Sequence, residues 1–110
     1  MSYSVETIPH FDKHAKKLSK KYNSLKSDLA SLVATLKGNP FYGTDLGHGL
    51  YKIRLAITAK GKGKSGGARV ITYVKVIQKT IYLVSIYDKG ELESIARKEI
   101  LELLKKTGLI

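Results

Sequence analysis

The chain has 110 residues, with 20 lysines and arginines against 9 aspartates and glutamates, three histidines and no cysteine, leaving a formal charge of +11. At that length, and with 43% apolar residues, the composition fits one compact domain that buries roughly two thirds of its unfolded surface, which argues against two domains or a disordered basic tail. The absence of cysteine excludes a disulfide framework, a thiolate nucleophile and Cys-ligated zinc or iron–sulfur chemistry, and suits a reducing cytoplasm.

The first residues carry Glu6, Pro9 and Asp12 without an apolar stretch of signal-peptide length. No run approaches the roughly 20 residues of a membrane span, so a cytoplasmic protein without a membrane partner is expected. Tyr3 to Thr7 alternate and predict a short strand stopped by Pro9. Phe11, Ala15, Leu18, Tyr22 and Leu25 follow at helical spacing with lysines opposite, and Leu25, Leu29, Leu32, Val33 and Leu36 continue it as far as Gly38-Asn39-Pro40. A helical hairpin that breaks near Asn23-Ser24 satisfies both stripes. Phe41 to Gly49 reads as a connector.

Leu50 to Ile57 alternates again, with Tyr51, Ile53 and Leu55 on one side and Lys52 and Arg54 on the other. Residues two apart on a strand point the same way and lie roughly 7 Å apart, so Lys52 and Arg54 can grip one phosphodiester or two neighbours. Lys60 to Gly67 is a lysine and glycine loop, and Ala68–Ile77 and Thr80–Tyr87 are β-branched and aromatic runs joined by Gln78-Lys79, which predicts two further antiparallel strands. Asp88 with Glu91 three residues on predicts a helix start, with Leu92, Ile95, Ala96, Ile100, Leu103 and Leu104 as its buried stripe and Gly108 as its end. The expected fold class is α+β: a short N-terminal strand, a helical hairpin, a three-stranded antiparallel segment completing one sheet, and a C-terminal helix, with the helices on one face.

Charge is distributed unevenly along this framework. Between Asp45 and Asp88 stand Lys52, Arg54, Lys60, Lys62, Lys64, Arg69, Lys75 and Lys79, with no carboxylate among them. A cationic surface of this kind attracts polyanions, although a solvated surface that only maintains solubility is the plain alternative. Gly63-Lys64-Ser65 ends like a phosphate-binding P-loop, but Thr58 stands where the motif needs its first glycine and a strand follows where it needs a helix. His10 and His14 are one helical turn apart, and two ligands without companions make no metal site. What remains is a set of cations and tyrosines: Tyr51, Lys52, Arg54, Arg69, Tyr73, Tyr87 and Lys89, with Lys60, Lys62 and Lys64 on the loop. Cations hold phosphates and tyrosine rings stack bases, so this set suits single-stranded RNA. Cleavage would also need a base for the ribose 2′-hydroxyl, positive charge at the phosphorus and an acid for the leaving oxygen. Lysine serves as a base only if its pKa falls from about 10.4 towards about 7–8, and arginine does not deprotonate.

The segment GLYKIRLAITAKGKGKSGGARVITYVKVIQKTIYLVSIYDKGE resembles the core of RelE/ParE-superfamily toxins, and its GKGKSGGARVI loop and strand are most similar to the HigB-type branch of RelE toxins. The resemblance spans nearly the whole chain and implies a single RelE-like toxin domain over residues 1–110, with the RelE-like microbial ribonuclease fold. It implies the toxin of a type II toxin–antitoxin pair, an endoribonuclease that cuts mRNA on the ribosome by 2′-hydroxyl attack, without metal or cofactor. Its partners would be the ribosome, mRNA and a cognate antitoxin, often of helix-turn-helix type. By the same resemblance, Lys52, Arg54 and Arg69 match positions that bind and activate the scissile phosphate. Typical RelE proteins hold a lysine base where Arg54 stands, which makes Lys52 the preferred base here. Their arginine acid and base-stacking tyrosine fall at Gly90 and Ala96, leaving Lys89 as candidate acid and Tyr87 as candidate stacking ring. A tyrosine packed against the last helix is the ordinary alternative for Tyr87. Two other functions stay open: a ParE-like inhibitor of DNA gyrase, and an RNA-binding module without catalysis.

Overall fold

The computed structural model describes residues 2–110. Strand β1 (Ser4–Thr7) leads into helix α1 (Pro9–Lys21), whose first position is a proline with the fixed φ that a helix start wants. Phe11 and Leu18 are its buried residues. The chain then turns, with Leu25 N–H donating to the Tyr22 carbonyl at 3.1 Å, into helix α2 (Leu25–Gly38), which buries Leu25, Leu32 and Leu36. The break falls at the expected Asn23-Ser24.

Strands β2 (Thr44–Gly47), β3 (Leu50–Leu55), β4 (Ala68–Lys75) and β5 (Thr80–Asp88) and helix α3 (Arg97–Lys106) complete the fold. The five strands form one sheet in the order β1-β5-β4-β3-β2. β1 pairs parallel to β5, and every other pair is antiparallel. The α+β class holds, with one added strand, while the expectation that the helices lie on one face is not met. β2 lies in the segment read as a connector, because four residues with a terminal glycine and one alternation carry too little strand pattern. Its turn back into β3 uses positive φ at Gly47, His48 and Gly49. The helices also divide between the two faces of the sheet. α2 shares a cleft with Leu55, whereas α3 shares one with Leu50 and Lys52, which belong to the alternate set.

The C-terminal helix starts at Arg97, nine residues after the predicted Asp88. Asp88 ends β5 instead, only 4% exposed, and its carboxylate accepts from Gly90 N–H at 2.9 Å in a local turn. Leu92, expected on the buried stripe, is exposed. β4 likewise stops at Lys75, and Val76 and Ile77 form an exposed hairpin tip. No helix among the described residues is long and apolar enough to cross a membrane.

Candidate active site

Strand register decides which cations share a face. In the β3–β4 pair Lys52 stands opposite Ile71 and Arg54 directly opposite Arg69, and in the next pair Arg69 stands opposite Tyr87. Directly opposed residues of antiparallel strands point to the same face with Cβ atoms roughly 5 Å apart, and like charges there are destabilising. Lys52, Arg54, Arg69 and Tyr87 therefore all rise from the α3 side of the sheet.

Arg69 is only 6% exposed, and its orientation is set by the lysine and glycine loop. Its guanidinium donates to the carbonyls of Lys64 at 2.9 Å, Ala68 at 3.1 Å and Ser65 at 3.5 Å. These acceptors are neutral dipoles, so the full positive charge is retained. The loop can close over it because Gly67 lies against the backbone of Leu55, Ala56 and Ile57, where a Cβ would collide. Lys89 N–H then ties the end of β5 to the Gly67 carbonyl at 3.0 Å.

Lys52 is half-buried and, among the described residues, its ammonium makes no hydrogen bond or ion pair. It lines a cleft of about 180 Å³ beneath the start of α3 with Leu46, Leu50, Ile71, Tyr87, Ser94, Ile95, Arg97 and Ile100. Tyr87 is 7% exposed and its hydroxyl is buried, facing the backbone N–H of Ile95. Burial pushes its pKa up, while the Ile95 backbone and the Arg69 charge act against that rise. Tyr87 thus forms a cleft wall, in line with the ordinary alternative of packing against the last helix. Arg54 is exposed and lines a separate cleft of about 230 Å³ with Asp28, Tyr42 and Lys64, among others. It shares the sheet face of Lys52 without sharing its cleft.

Other candidates are dispersed. Tyr51 points to the opposite face, as its place in the alternation requires, and its ring lies tilted against that of Phe41 at a centroid separation of 6.0 Å. Tyr73 lies on the α3 face, but at the far end, in a cleft with His48, Leu101, Leu104 and Ile110. Lys60 is engaged in an ion pair, its ammonium 2.7 Å from the Asp88 carboxylate and both side chains largely buried. The contact is invisible in the sequence because the partners are 28 residues apart. Tyr22 donates to the same carboxylate at 2.9 Å. Burial pushes the Asp88 pKa up, but the hydrogen bonds from Lys60, Gly90 and Tyr22 outweigh it and hold the group below its ordinary value. Lys62 and Lys64 are exposed on the loop, Lys64 donating to the Tyr42 hydroxyl at 3.3 Å. Lys89 is 2.6 Å from the Glu93 carboxylate.

Glu93, Ser94 and Arg97 join the site without having been anticipated. The Glu93 pKa lies below its ordinary value, first because Lys89 hydrogen-bonds to it, with Lys52 and Arg69 adding smaller attractions. Arg97 donates to the Leu46 carbonyl and so straps α3 to β2 across the cleft. The signal that could have found it is the spacing of Ile100, Leu103 and Leu104, a buried stripe that begins only after Arg97. His10 and His14 stack with ring centroids 4.3 Å apart. Among the described residues no three of His, Cys, Asp and Glu gather as a metal-holding group.

Lys52 lines a small, mostly apolar cleft, and Arg69 rises from the same face of the sheet with its guanidinium turned onto the carbonyls of the loop. Comparison with solved structures shows the same fold elsewhere. One is an E. coli toxin RelE mutant with two arginines changed to alanine, in the free state, at 16% identity and TM-score 0.64 over 97% of this chain and 98% of that one. Another is the RelBE2 toxin–antitoxin complex from Mycobacterium tuberculosis, at 14% identity and TM-score 0.59 over 80% of this chain and 92% of that one. At the level of sequence, the family model described as the RelE toxin of the RelE/RelB toxin–antitoxin system matches residues 10–109. The match takes in both clefts, the glycine loop and all three helices, and the chain belongs to the RelE toxin family.

Proposed function

We propose that this toxin is a ribosome-dependent endoribonuclease that inhibits translation by cutting mRNA in the cytoplasm, and that a cognate antitoxin silences it. The observation that carries the reading is the register that sets Arg54 directly opposite Arg69, with Lys52 two residues along the same face. Two arginines at like-charge spacing cost stability, and a phosphate bound between strands offsets that cost. The HigB-type loop sequence supports the same assignment, because its carbonyls hold Arg69 in place.

In the reaction, Lys52 takes the proton of the ribose 2′-hydroxyl as the 2′-oxygen forms its bond to phosphorus. Arg69, with Arg54 beside it, stabilises the charge that builds on the phosphoryl oxygens, the step for which fixed donors are most effective. The bond to the 5′-oxygen breaks, and Lys89 supplies its proton, leaving a 2′,3′-cyclic or 3′-phosphate. Lys62 and Lys64, exposed on the loop, would meet flanking phosphates in this reading. The pairing of Lys89 with Glu93 and the burial of Tyr87 favour a second reading, RNA binding without cleavage. Purified protein added to translating ribosomes separates the two. Cleavage predicts new mRNA ends carrying a cyclic or 3′-phosphate, and intact mRNA would leave only the binding reading.

A further inference from the structure

We infer that the Glu93 carboxylate sits where a phosphate of the RNA binds and acts as a built-in competitor that the substrate must displace. The inference rests on RNA being the substrate and adds what restrains its binding. Between Asp45 and Asp88 the sequence offers the cations no carboxylate, and the fold returns one from the stretch that follows β5. A Glu93 oxygen lies 2.6 Å from the Lys89 ammonium. Lys52 on β3 and Arg69 on β4 also attract it, and its charge reaches Tyr87 on β5. Four positions on one face of the sheet and at its end thus act on a single acidic side chain. Three of them, Lys52, Arg69 and Lys89, are the cations that handle the scissile phosphodiester in the reaction. An anion placed where Glu93 stands meets all three charges, and the chain's own anion is already there.

The carboxylate is held loosely enough to leave. Its side chain is 90% exposed, on a stretch outside any helix or strand, whereas the Lys89 side chain is 27% exposed and its backbone N–H is fixed to the Gly67 carbonyl at 3.0 Å. The acid can therefore swing into water while the cation stays. Exposed ion pairs of this kind are weak and screened by salt. The Lys60–Asp88 pair differs, with side chains 12% and 3% exposed, and is a permanent part of the fold. A phosphodiester carries one negative charge, as the carboxylate does, and offers oxygens to the same donors. Exchange of one for the other keeps the local charge balance, so RNA binds with the affinity of its other contacts and gains little from Lys89 itself. Glu91, two residues earlier, is the internal contrast: it pairs at 2.9 Å with Lys21 at the end of α1.

Fluorescence anisotropy of labelled hexauridylate on the full chain at low salt tests this, because Glu93→Gln keeps the side chain's shape and removes its charge. Glu93→Gln should bind about threefold to fivefold tighter than the wild type, with a log-log salt slope steeper by about 0.7, the increment for one more phosphate contact on a single strand. Glu91→Gln removes the same charge from the chain at a different place and should stay within about 1.5-fold of the wild type. In a Lys89→Ala background the gain from Glu93→Gln should fall below about twofold, since the cation it releases is gone. Equal gains in Glu93→Gln and Glu91→Gln, no gain in Glu93→Gln, or an undiminished gain without Lys89 overturns the competitor while leaving RNA binding in place. Failure of the wild type and Glu93→Gln alike to bind at low salt overturns the RNA reading itself, and with it the inference.

Discussion

Ile53, Val70 and Ile86 are each no more than 1% exposed on the side of the sheet that α1 and α2 cover, whereas the α3 side combines buried Leu50 and Ile71 with half-buried Lys52 and exposed Arg54. The covering elements differ in kind. α1 and α2 have 13 and 14 residues and seat their apolar stripes on the sheet, while α3 has 10 and begins only at Arg97. The irregular stretch from Lys89 to Ala96 leaves the β3–β4 end of the α3 side open. One side therefore contributes stability, and the other accepts a cost where Arg54 stands opposite Arg69 on a cationic face.

The two sides are joined by a small polar network at the end of β5. Asp88 receives Lys60 from the loop, Tyr22 from the end of α1 and Gly90 from its own turn. Removing one member of a buried ion pair strands the other, which typically costs about 3–5 kcal/mol. Asp88→Ala should lose about that much in urea unfolding, and should also weaken RNA binding because the loop that orients Arg69 loses its anchor. A change below about 1 kcal/mol would show that the network does not couple the sides.

On the stable side, Tyr51→Leu should cost about 0.5–1.5 kcal/mol from lost aromatic contact with Phe41. Its affinity for single-stranded RNA should stay within about twofold of the wild type, since the ring faces away from Lys52. A large loss of affinity would erase the distinction between the faces.

The smallest effect concerns the start of α1. His10 has its pKa lowered first by burial and then by His14, with Lys13 and Lys106 adding and Glu99 opposing. Because the unfolded chain takes up this proton first, stability is fully present above the ordinary value of 6.5 and declines as pH falls through it. Asp28 and Asp88, whose pKa values are lowered in the fold from 3.8, lose their contribution only at still lower pH. Thermal unfolding between pH 7 and 5 should therefore show a decline that His10→Gln removes. A flat wild-type profile would contradict the assignment.

Much of the arrangement on the α3 side was legible in the chain, and the reasons for the rest are physical. Alternation alone put Lys52 and Arg54 on one side, and the same alternation already separated Tyr51 from them. The runs around Val70 and Val84 read as strands because β-branched residues suit a pleated sheet. The helix start was misplaced because Asp88 and Glu91 have capping-box spacing, while the carboxylate is drawn instead to Lys60. Such a partnership depends on tertiary folding and leaves no local trace. The burial of the Tyr87 hydroxyl and the Arg97 strap belong to the same class.

The central claim, that cleavage resides on the α3 side, is tested most directly by mRNA end mapping on translating ribosomes with two charge-matched double variants. Lys52→Ala with Arg69→Ala should reduce cleavage by about 10²-fold or more in a folded protein, the scale for losing fixed donors at a developing charge. Lys26→Ala with Lys37→Ala, on α2, should leave it within about threefold. Equal losses in the two variants, or undiminished cleavage in the first, would contradict the account.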